Sequence, residues 1–373
     1  MKKIILPVLL CSIAAFSSCA QPEDHTKVKA ENALFFTGQK EGVSCFRIPA
    51  IVTAPNGDLV AAIDERVPSC GDLKFSKDIN IAIRISKDNG LTWDPTTIAV
   101  DFPFGQSASD PSMIVNKKTK EIFLFYNYMD LEKEPNIFYL HYVKSKDNGK
   151  TWSEPVDITS QIAKPEWRED FKFITSGRGT YTSDGKMIHT LVNLKNGLHV
   201  FGSDDDGATW YFIDTPVTPA DESKILELSD GSWMINSRVN GAGMRYVHVS
   251  NDKGKTWISQ PDATLVDPSC NAGFVYYTMQ KDGYDKDRLL FSNANCADKR
   301  ENLTVRISYD NGKTWAAEKV IYEGPSAYSS LTVLDNGDIA VFFEKDNYKS
   351  NNVVVFSLEW LTDGKDSFKK AKK

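Results

Sequence analysis

Three arginines and a handful of oxygen-bearing side chains set the chemical range of this 373-residue chain. Arg47 sits in an apolar stretch, Phe46-Arg47-Ile48-Pro49-Ala50. Arg238 ends Asn236-Ser237-Arg238, directly after the apolar run 233–235, and Arg300 precedes the alternating run that leads to Ile307. A guanidinium stays charged at every working pH and its fork matches a carboxylate. The formal net charge is −6, so an anionic ligand would need such local arginines to hold it. The plain alternative for each is a surface salt bridge. Arg306, near Arg300, alternates with Val305 and Ile307 and reads as sheet surface. Tyr328 lies in Gly324-Pro325-Ser326-Ala327-Tyr328-Ser329, a composition that favours a loop over a core tyrosine. A free phenol ionises near pH 10, so a nucleophilic tyrosine needs a carboxylate to take its proton. Carboxylates are available: Asp72 after Arg66, Asp110 in Ser109-Asp110-Pro111-Ser112, Glu222 in Asp221-Glu222-Ser223, and Glu344 in Phe342-Phe343-Glu344. A carboxylate such as Glu344, closing an apolar strand, needs a partner if it is buried.

The elements that must position these residues announce themselves as a repeat. Ser145-Lys-Asp-Asn-Gly-Lys-Thr-Trp152 recurs in varied form from Ser86, Ser203, Ser250 and Ser308, with starts 59, 58, 47 and 58 residues apart. The Gly permits the positive φ of a tight hairpin, the Asp can bond its own turn, and the Trp can cover it. Strand alternation precedes the boxes, as in Ile79, Ile81, Ile83 and Ile85. Short apolar runs broken by Asn56-Gly57, Asp184-Gly185, Asp230-Gly231 and Asn336-Gly337 fill the rest, with one short helix expected within 157–167. No linker divides the body. A period near 57 over about 330 residues predicts an all-β, six-bladed propeller of four-stranded antiparallel sheets, five blades carrying a box. Its N- and C-terminal strands are expected to share one sheet and so close the ring. The Asp cluster 204–206 lacks the ligand spacing of a calcium loop.

The box Ser-x-Asp-x-Gly-x-Thr-Trp resembles the Asp-box (BNR repeat) of sialidases and a few other propellers. Phe-Arg47-Ile-Pro resembles the sialidase F/Y-R-I-P signature. With Asp64-Glu-Arg66 and Asp72 six residues on, Glu222-Ser before a strand ending in Asn-Ser-Arg238, and Gly-Pro-Ser-Ala-Tyr328-Ser, the whole mature chain resembles bacterial exo-α-sialidases of glycoside hydrolase family 33. The resemblance implies that Arg47, Arg238 and Arg300 hold a substrate carboxylate. It makes Tyr328 the nucleophile, Glu222 its base and Asp72 the general acid/base, with Asp78 as a rival for that last role. It implies that Glu344 pairs with Arg47, and that Asp110, helped by Arg66, lies near the 4-hydroxyl. A tyrosine suits this chemistry because sialic acid carries its carboxylate on the anomeric carbon, where an anionic nucleophile would meet like charge; such enzymes depart from the two-carboxylate scheme. The implied partners are sialylated glycans, with no cofactor, no metal and no nucleic acid. A trans-sialidase or a hydrolase of a related ulosonic acid would carry the same residues. A non-catalytic glycan-binding propeller is the remaining alternative; it predicts that some of the triad would be replaced.

Residues 1–18 read as a signal peptide of lipoprotein type, with Lys2, Lys3, an apolar run too short to span a bilayer, and Cys19 as the lipidated residue. Residues 19–31 read as a tether, 32–362 as the propeller and 363–373 as a basic, solvated tail. The expected protein is an exported monomer, a periplasmic or cell-surface lipoprotein tied to a membrane only through the anchor, with ordinary secretion and an incidental Cys19 as the alternative. Four cysteines remain in the body. Sequence nearness favours Cys45–Cys70 and Cys270–Cys296, with four buried thiols as the alternative.

Overall fold

The computed structural model describes residues 27–371. The signal-peptide and lipid-anchor expectations, Cys19 included, therefore lie outside the described residues. The fold is all-β, built from antiparallel meanders in several sheets. The first pairs Cys45–Thr53, Leu59–Val67, Asp78–Ser86 and Thr97–Val100. The second pairs Gln106–Val115, Ile122–Asp130, Tyr139–Ser145 and Val156–Asp157. In the third, Lys172–Ile174 and Thr180–Tyr181 both pair with Met187–Asn193, followed by Gly197–Ser203 and Tyr211–Val217. Between the two short strands, Gly177–Arg178 turns aside to pair in parallel with Ser112–Met113. The fourth runs Ser223–Glu227, Trp233–Ser237, Met244–Ser250 and Ile258–Val266. Gly273–Thr278, Arg288–Ala294 and Glu301–Ser308 form the fifth with the first half of Ala317–Val333. The second half of that strand opens the sixth, with Ile339–Lys345, Ser350–Phe356 and the N-terminal strand Ala30–Phe36.

The N- and C-terminal strands thus share a sheet, with Glu31 opposite Val354. Pairing begins at Ala30, two residues inside the span read as a tether. The same closure explains why only five boxes exist. Each box joins the third strand of a meander to its fourth; in the sixth, the fourth strand comes from the other end of the chain, so there is no turn to build. In every box the Asp works as expected: Asp147 accepts from Thr151 N at 2.9 Å and from Thr151 Oγ1 at 2.6 Å, while Ser145 Oγ accepts from Gly149 N at 2.8 Å. Asn148 and Gly149 both take positive φ (62° and 88°). A Cβ on Gly149 would meet Val60 of the previous meander at 3.1 Å, so the glycine also permits the box to nest on its neighbour. Apolar clusters lie between successive meanders, for example Ile83 and Val60 with Leu124 and Val143, and one of them joins the last meander to the first through Phe342, Val353, Phe46 and Ile63.

Three expectations need correction. The helix expected within 157–167 is two single turns, Thr159–Ile162 and Pro165–Trp167. The C-terminal tail is not a solvated end: Asp366 is buried under Arg288 at 2.7 Å and Phe368 packs on Tyr277. Cys45 and Cys70 form a disulfide, but Cys270 and Cys296 are free, Cys270 fully buried. Among the described residues, no helix is long and apolar enough to cross a membrane.

Candidate active site

The opening, or inner, strands of four meanders bring Ile48, Asp110, Tyr328 and, just before its strand, Glu222 to one cavity of about 180 Å³, which Asp72, Leu73, Phe171, Phe173, Leu194, Asp221 and Arg238 complete. Three inner strands carry an irregularity at the same level: the register slips between Arg47 and Ala50, between Ser109 and Ser112, and between Ser326 and Ser329. Bulges of this kind re-aim side chains beside active sites. Two of them place a non-glycine residue at positive φ, Ile48 (66°) and Asp110 (65°), each directly before a proline.

Tyr328 is the hub. Its hydroxyl donates to Glu222 Oε2 at 2.6 Å, and Arg238 Nη1 donates to both that oxygen (2.6 Å) and the phenol oxygen (3.3 Å). Arg47 and Arg300 flank its ring, their guanidinium carbons 5.8 and 5.5 Å from the ring centre. All three arginines picked out in the sequence therefore meet at one tyrosine, and Arg306 does not. Arg306 is also not surface: it is buried in its sheet, bonded to Glu318 and Asn293. Burial pushes the Tyr328 phenol well above its ordinary range and the Glu222 charge adds to this, against the opposing pull of Arg238 and Arg300. The free hydroxyl is thus a neutral donor already seated on its carboxylate.

Glu344 holds the floor. Its side chain is completely buried and accepts from Arg47 Nε at 2.6 Å, Ile48 N at 3.0 Å and Tyr328 N at 3.1 Å. One carboxylate so fixes an arginine and two bulged backbones together. Burial would lower the Arg47 guanidinium, but the Glu344 charge and hydrogen bond, with Tyr328 and Tyr348, together outweigh it and hold it above its ordinary value.

The opposite wall is Asp72 and Arg66. Asp72 directly precedes the short turn Leu73–Phe75 and is ion-paired to Arg66 Nη1, with 69% of its side chain exposed. Partial burial would raise its carboxyl, but Arg66, with Arg47 and Arg300 beyond, holds it below the usual range. Arg66 is fully buried between Asp72 and Asp64 (2.9 Å), and Asp64 in turn accepts from Asp110 N at 3.0 Å. The disulfide closes this loop: Arg66 Nη1 also donates to Cys70 O at 2.9 Å. Burial, then the Asp64 charge, push the Asp110 carboxyl well above its ordinary range; Asn127 donates to it at 3.0 Å. Asp78, the rival of Asp72, lies in a strand opposite Val67 and does not line the cavity.

Sequence reasoning passed over Tyr348 and Asp64. Tyr348 stacks under Arg47 (3.9 Å) and accepts from Arg300 Nη1 at 3.2 Å, tying two arginines together. Its signal was a tyrosine in a polar turn; Asp346, Asn347 and Tyr348 all take positive φ. Asp64 was visible only as the first residue of Asp-Glu-Arg. Among the described residues no cluster of His, Cys, Asp and Glu is arranged to hold a metal ion.

Comparison with known proteins agrees with this geometry. A family model described as a BNR repeat-like domain matches residues 57–341. A sialidase of Bacteroides fragilis is 30% identical over 81% of this chain, and one of Micromonospora viridifaciens is 31% identical over 96%. The chain spans 60% and 59% of the lengths of these two relatives. Among solved structures, a Hadza microbial sialidase superposes with a TM-score of 0.78 at 27% identity, covering 89% of this chain and 69% of its own. A leech intramolecular trans-sialidase shares the fold, with a TM-score of 0.76 at 20% identity over 90% of this chain and 71% of its own.

Proposed function

The chain belongs to the family of BNR repeat-like domains, and from that premise we propose that it is an exo-α-sialidase, hydrolysing terminal α-linked sialic acid with retention of configuration. The meanders are read as six blades closed around the axis on which the cavity lies. The observation that carries the proposal is the Tyr328 hydroxyl seated on Glu222 and ringed by Arg47, Arg238 and Arg300. A structural tyrosine needs no three cations; a nucleophile that must approach an anionic anomeric centre does. The substrate carboxylate would lie between those arginines, which match its geometry and offset its charge.

In the first step Tyr328 Oη attacks the anomeric carbon as its proton passes to Glu222. The bond from that carbon to the bridging oxygen breaks, and Asp72 gives the oxygen a proton so that the aglycone leaves as an alcohol. In the second step Asp72 takes a proton from water as the water oxygen attacks the same carbon. The Tyr328–carbon bond breaks, and the phenol recovers its proton from Glu222. Two displacements at one carbon give net retention. The ligand-free Asp72 is held ionised by Arg66, which is the wrong state for an acid. A bound sialoside brings a carboxylate among the arginines and covers Asp72, and both changes raise its carboxyl toward protonation. We further propose export, anchoring through Cys19, action as a monomer, and sialylated glycoconjugates as partners.

A 2,3-difluoro sialosyl fluoride tests the mechanism, because fluorine beside the anomeric carbon slows the second step. Mass spectrometry of the digested enzyme is expected to find the sugar on Tyr328. Label on Asp72, or none in an enzyme that turns over a fluorogenic sialoside, would sink the proposal. Product analysis with lactose present separates hydrolysis from transfer.

A further inference from the structure

The inner strands have a second end. The strand that brings Ile48 to the candidate active site ends at Thr53. Those that carry Asp110, Glu222 and Tyr328 toward it run on to Val115, Glu227 and Val333. Those far ends line a separate cavity of about 350 Å³, twice the volume of the first. Nothing in the proposed reaction uses it.

Its chemistry is not that of a passive channel mouth. Arg178 projects into it from the parallel strand Gly177–Arg178. Nη1 donates to the carbonyl of Leu331, on another inner strand, at 3.0 Å. Nε is buried and has no hydrogen-bond partner among the described residues. Among the described residues no carboxylate pairs with this guanidinium; burial alone acts on it and draws it down to about 10. Arg178 is half-buried, and the fully buried arginines of the fold are treated differently: Arg66, Arg245 and Arg288 each have an aspartate within 3.3 Å, and Arg306 has Glu318 at 2.7 Å. A buried charge without a partner is costly, and an incoming anion is the natural means of offsetting it. Lys117 and Lys120 stand at the rim, while Lys281 is held by Glu227 at 3.3 Å. Asp282 and Asp335, both exposed, add acceptors on the same lining.

We propose that this cavity is a second binding site, for a sugar that carries an oxyanion, and that Arg178 grips the anion. Nη2, which makes no hydrogen bond among the described residues, is the donor open to it, and the rim lysines add charge. The rim carboxylates accept from sugar hydroxyls. A carboxylate and a phosphate offer the same acceptor geometry, so sugar acids and sugar phosphates are the two sources to separate.

The test is isothermal titration of the full chain with glucuronate, glucose 6-phosphate, inorganic phosphate and glucose. The Tyr328→Phe variant is run with its candidate active site saturated by 2-deoxy-2,3-dehydro-N-acetylneuraminic acid. The expected result is saturable one-to-one binding of at least one of the two anionic sugars. That binding should be unchanged within twofold by the blocker, weaker for phosphate alone, and absent for glucose. Glucuronate or glucose 6-phosphate as the tighter ligand identifies the source. Arg178→Met is expected to weaken binding tenfold or more. If that variant does not fold, Lys117→Glu with Lys120→Glu, on the surface, is expected to weaken binding at least fivefold with an unchanged circular dichroism spectrum. No saturable binding of either anionic sugar overturns the proposal. So does full competition by the blocker, or equal binding by parent and variants, which would leave Arg178 a structural tie between inner strands.

Discussion

Replacing Glu344 by Gln is the sharpest probe of how the site is held. The change keeps the shape and removes one charge. In the parent, Oε1 serves Arg47 Nε and Ile48 N, and Oε2 serves Tyr328 N and, at 3.5 Å, Arg47 Nη2. An amide has one acceptor oxygen, so whichever way it turns, its NH2 faces a donor. The Glu344 side chain has no exposed surface and that of Arg47 only 11%, so surface-pair energies of about 0–1 kcal/mol do not apply. Breaking a buried pair from one side costs about 3–5 kcal/mol. Because the amide still accepts from one donor set, the lower end, about 3 kcal/mol, is expected for Glu344→Gln. Arg47→Met should cost a similar amount, since it strands a buried carboxylate. The double variant leaves no charge in this pair, only a backbone N–H and the amide NH2 that faces it without an acceptor, worth about 1–2 kcal/mol. The two single effects should therefore fail to add by several kcal/mol.

Urea unfolding of the four proteins, followed by tryptophan fluorescence, measures this coupling. Activity on a fluorogenic sialoside should behave differently. The double variant regains stability but not turnover, since Arg47 is gone and either the Ile48 or the Tyr328 backbone N–H has lost its acceptor. Stabilities that add within about 0.5 kcal/mol would refute the reasoning, because they would mean that Glu344 and Arg47 do not share a buried interaction.

Other consequences are simpler to state. Burial would raise the Asp366 carboxyl, but hydrogen bonds from Arg288 and Tyr309 and the Arg288 charge hold it at about 2. Its stabilisation is complete above the unfolded value near 4 and lost as pH falls toward 2. Asp366→Asn should therefore cost about 2 kcal/mol at pH 7 and nearly nothing at pH 2, by thermal unfolding at both. Asp72, held low by Arg66, should titrate below the usual aspartate range in the free enzyme and move upward when a non-hydrolysable sialoside binds; carbon NMR of labelled protein reads both, and an unmoved resonance would remove it as the acid. Asp147→Ala takes the acceptor from Thr151 N and Oγ1 and should cost about 2 kcal/mol with kcat/KM unchanged, because neither residue lines the cavity of the site; a loss of activity at full stability would give the boxes another role.

How much of this was legible depends on how local each signal was. The boxes are short, self-bonded and repeated, so strand order and the shared terminal sheet could be read from them. Glu222, Arg238 and Tyr328 were found because each sits in a motif of adjacent residues. Tyr348 escaped because its importance comes from Arg47, about three hundred positions away, and nothing near it in the chain shows that. Cys270 escaped for the reverse reason: nearness to Cys296 suggested a bond, whereas Cys270 is packed against Ile48, Ala327 and Tyr328 in the floor of the site. The tail 363–373 looked solvated because its lysines are plain to see; what docks it is the less conspicuous pair Asp366 and Phe368.

The two walls of the site are built in different ways, and the difference matches the work proposed for each. On one wall Tyr328, Glu222, Arg47 and Glu344 stand on or beside inner strands, are nearly or fully buried, and are hydrogen-bonded at both side chain and backbone. The bulge that aims Arg47 is seated on Pro49, which has no N–H to leave unmade, as Pro111 is in the bulge beside Asp110. A nucleophile must meet one carbon along one line, and a small misplacement is costly in rate, so a fixed, strained backbone suits it. On the other wall Asp72 stands just before a three-residue turn, and most of its side chain faces solvent. Its proposed partners change during turnover, first the bridging oxygen of a departing aglycone and then a water arriving by the same path. A carboxylate that serves two positions in sequence has to border the opening through which both pass. The exposure that makes Asp72 look like an ordinary loop residue is therefore what its role requires, provided that a bound substrate supplies the burial and charge that the empty site lacks.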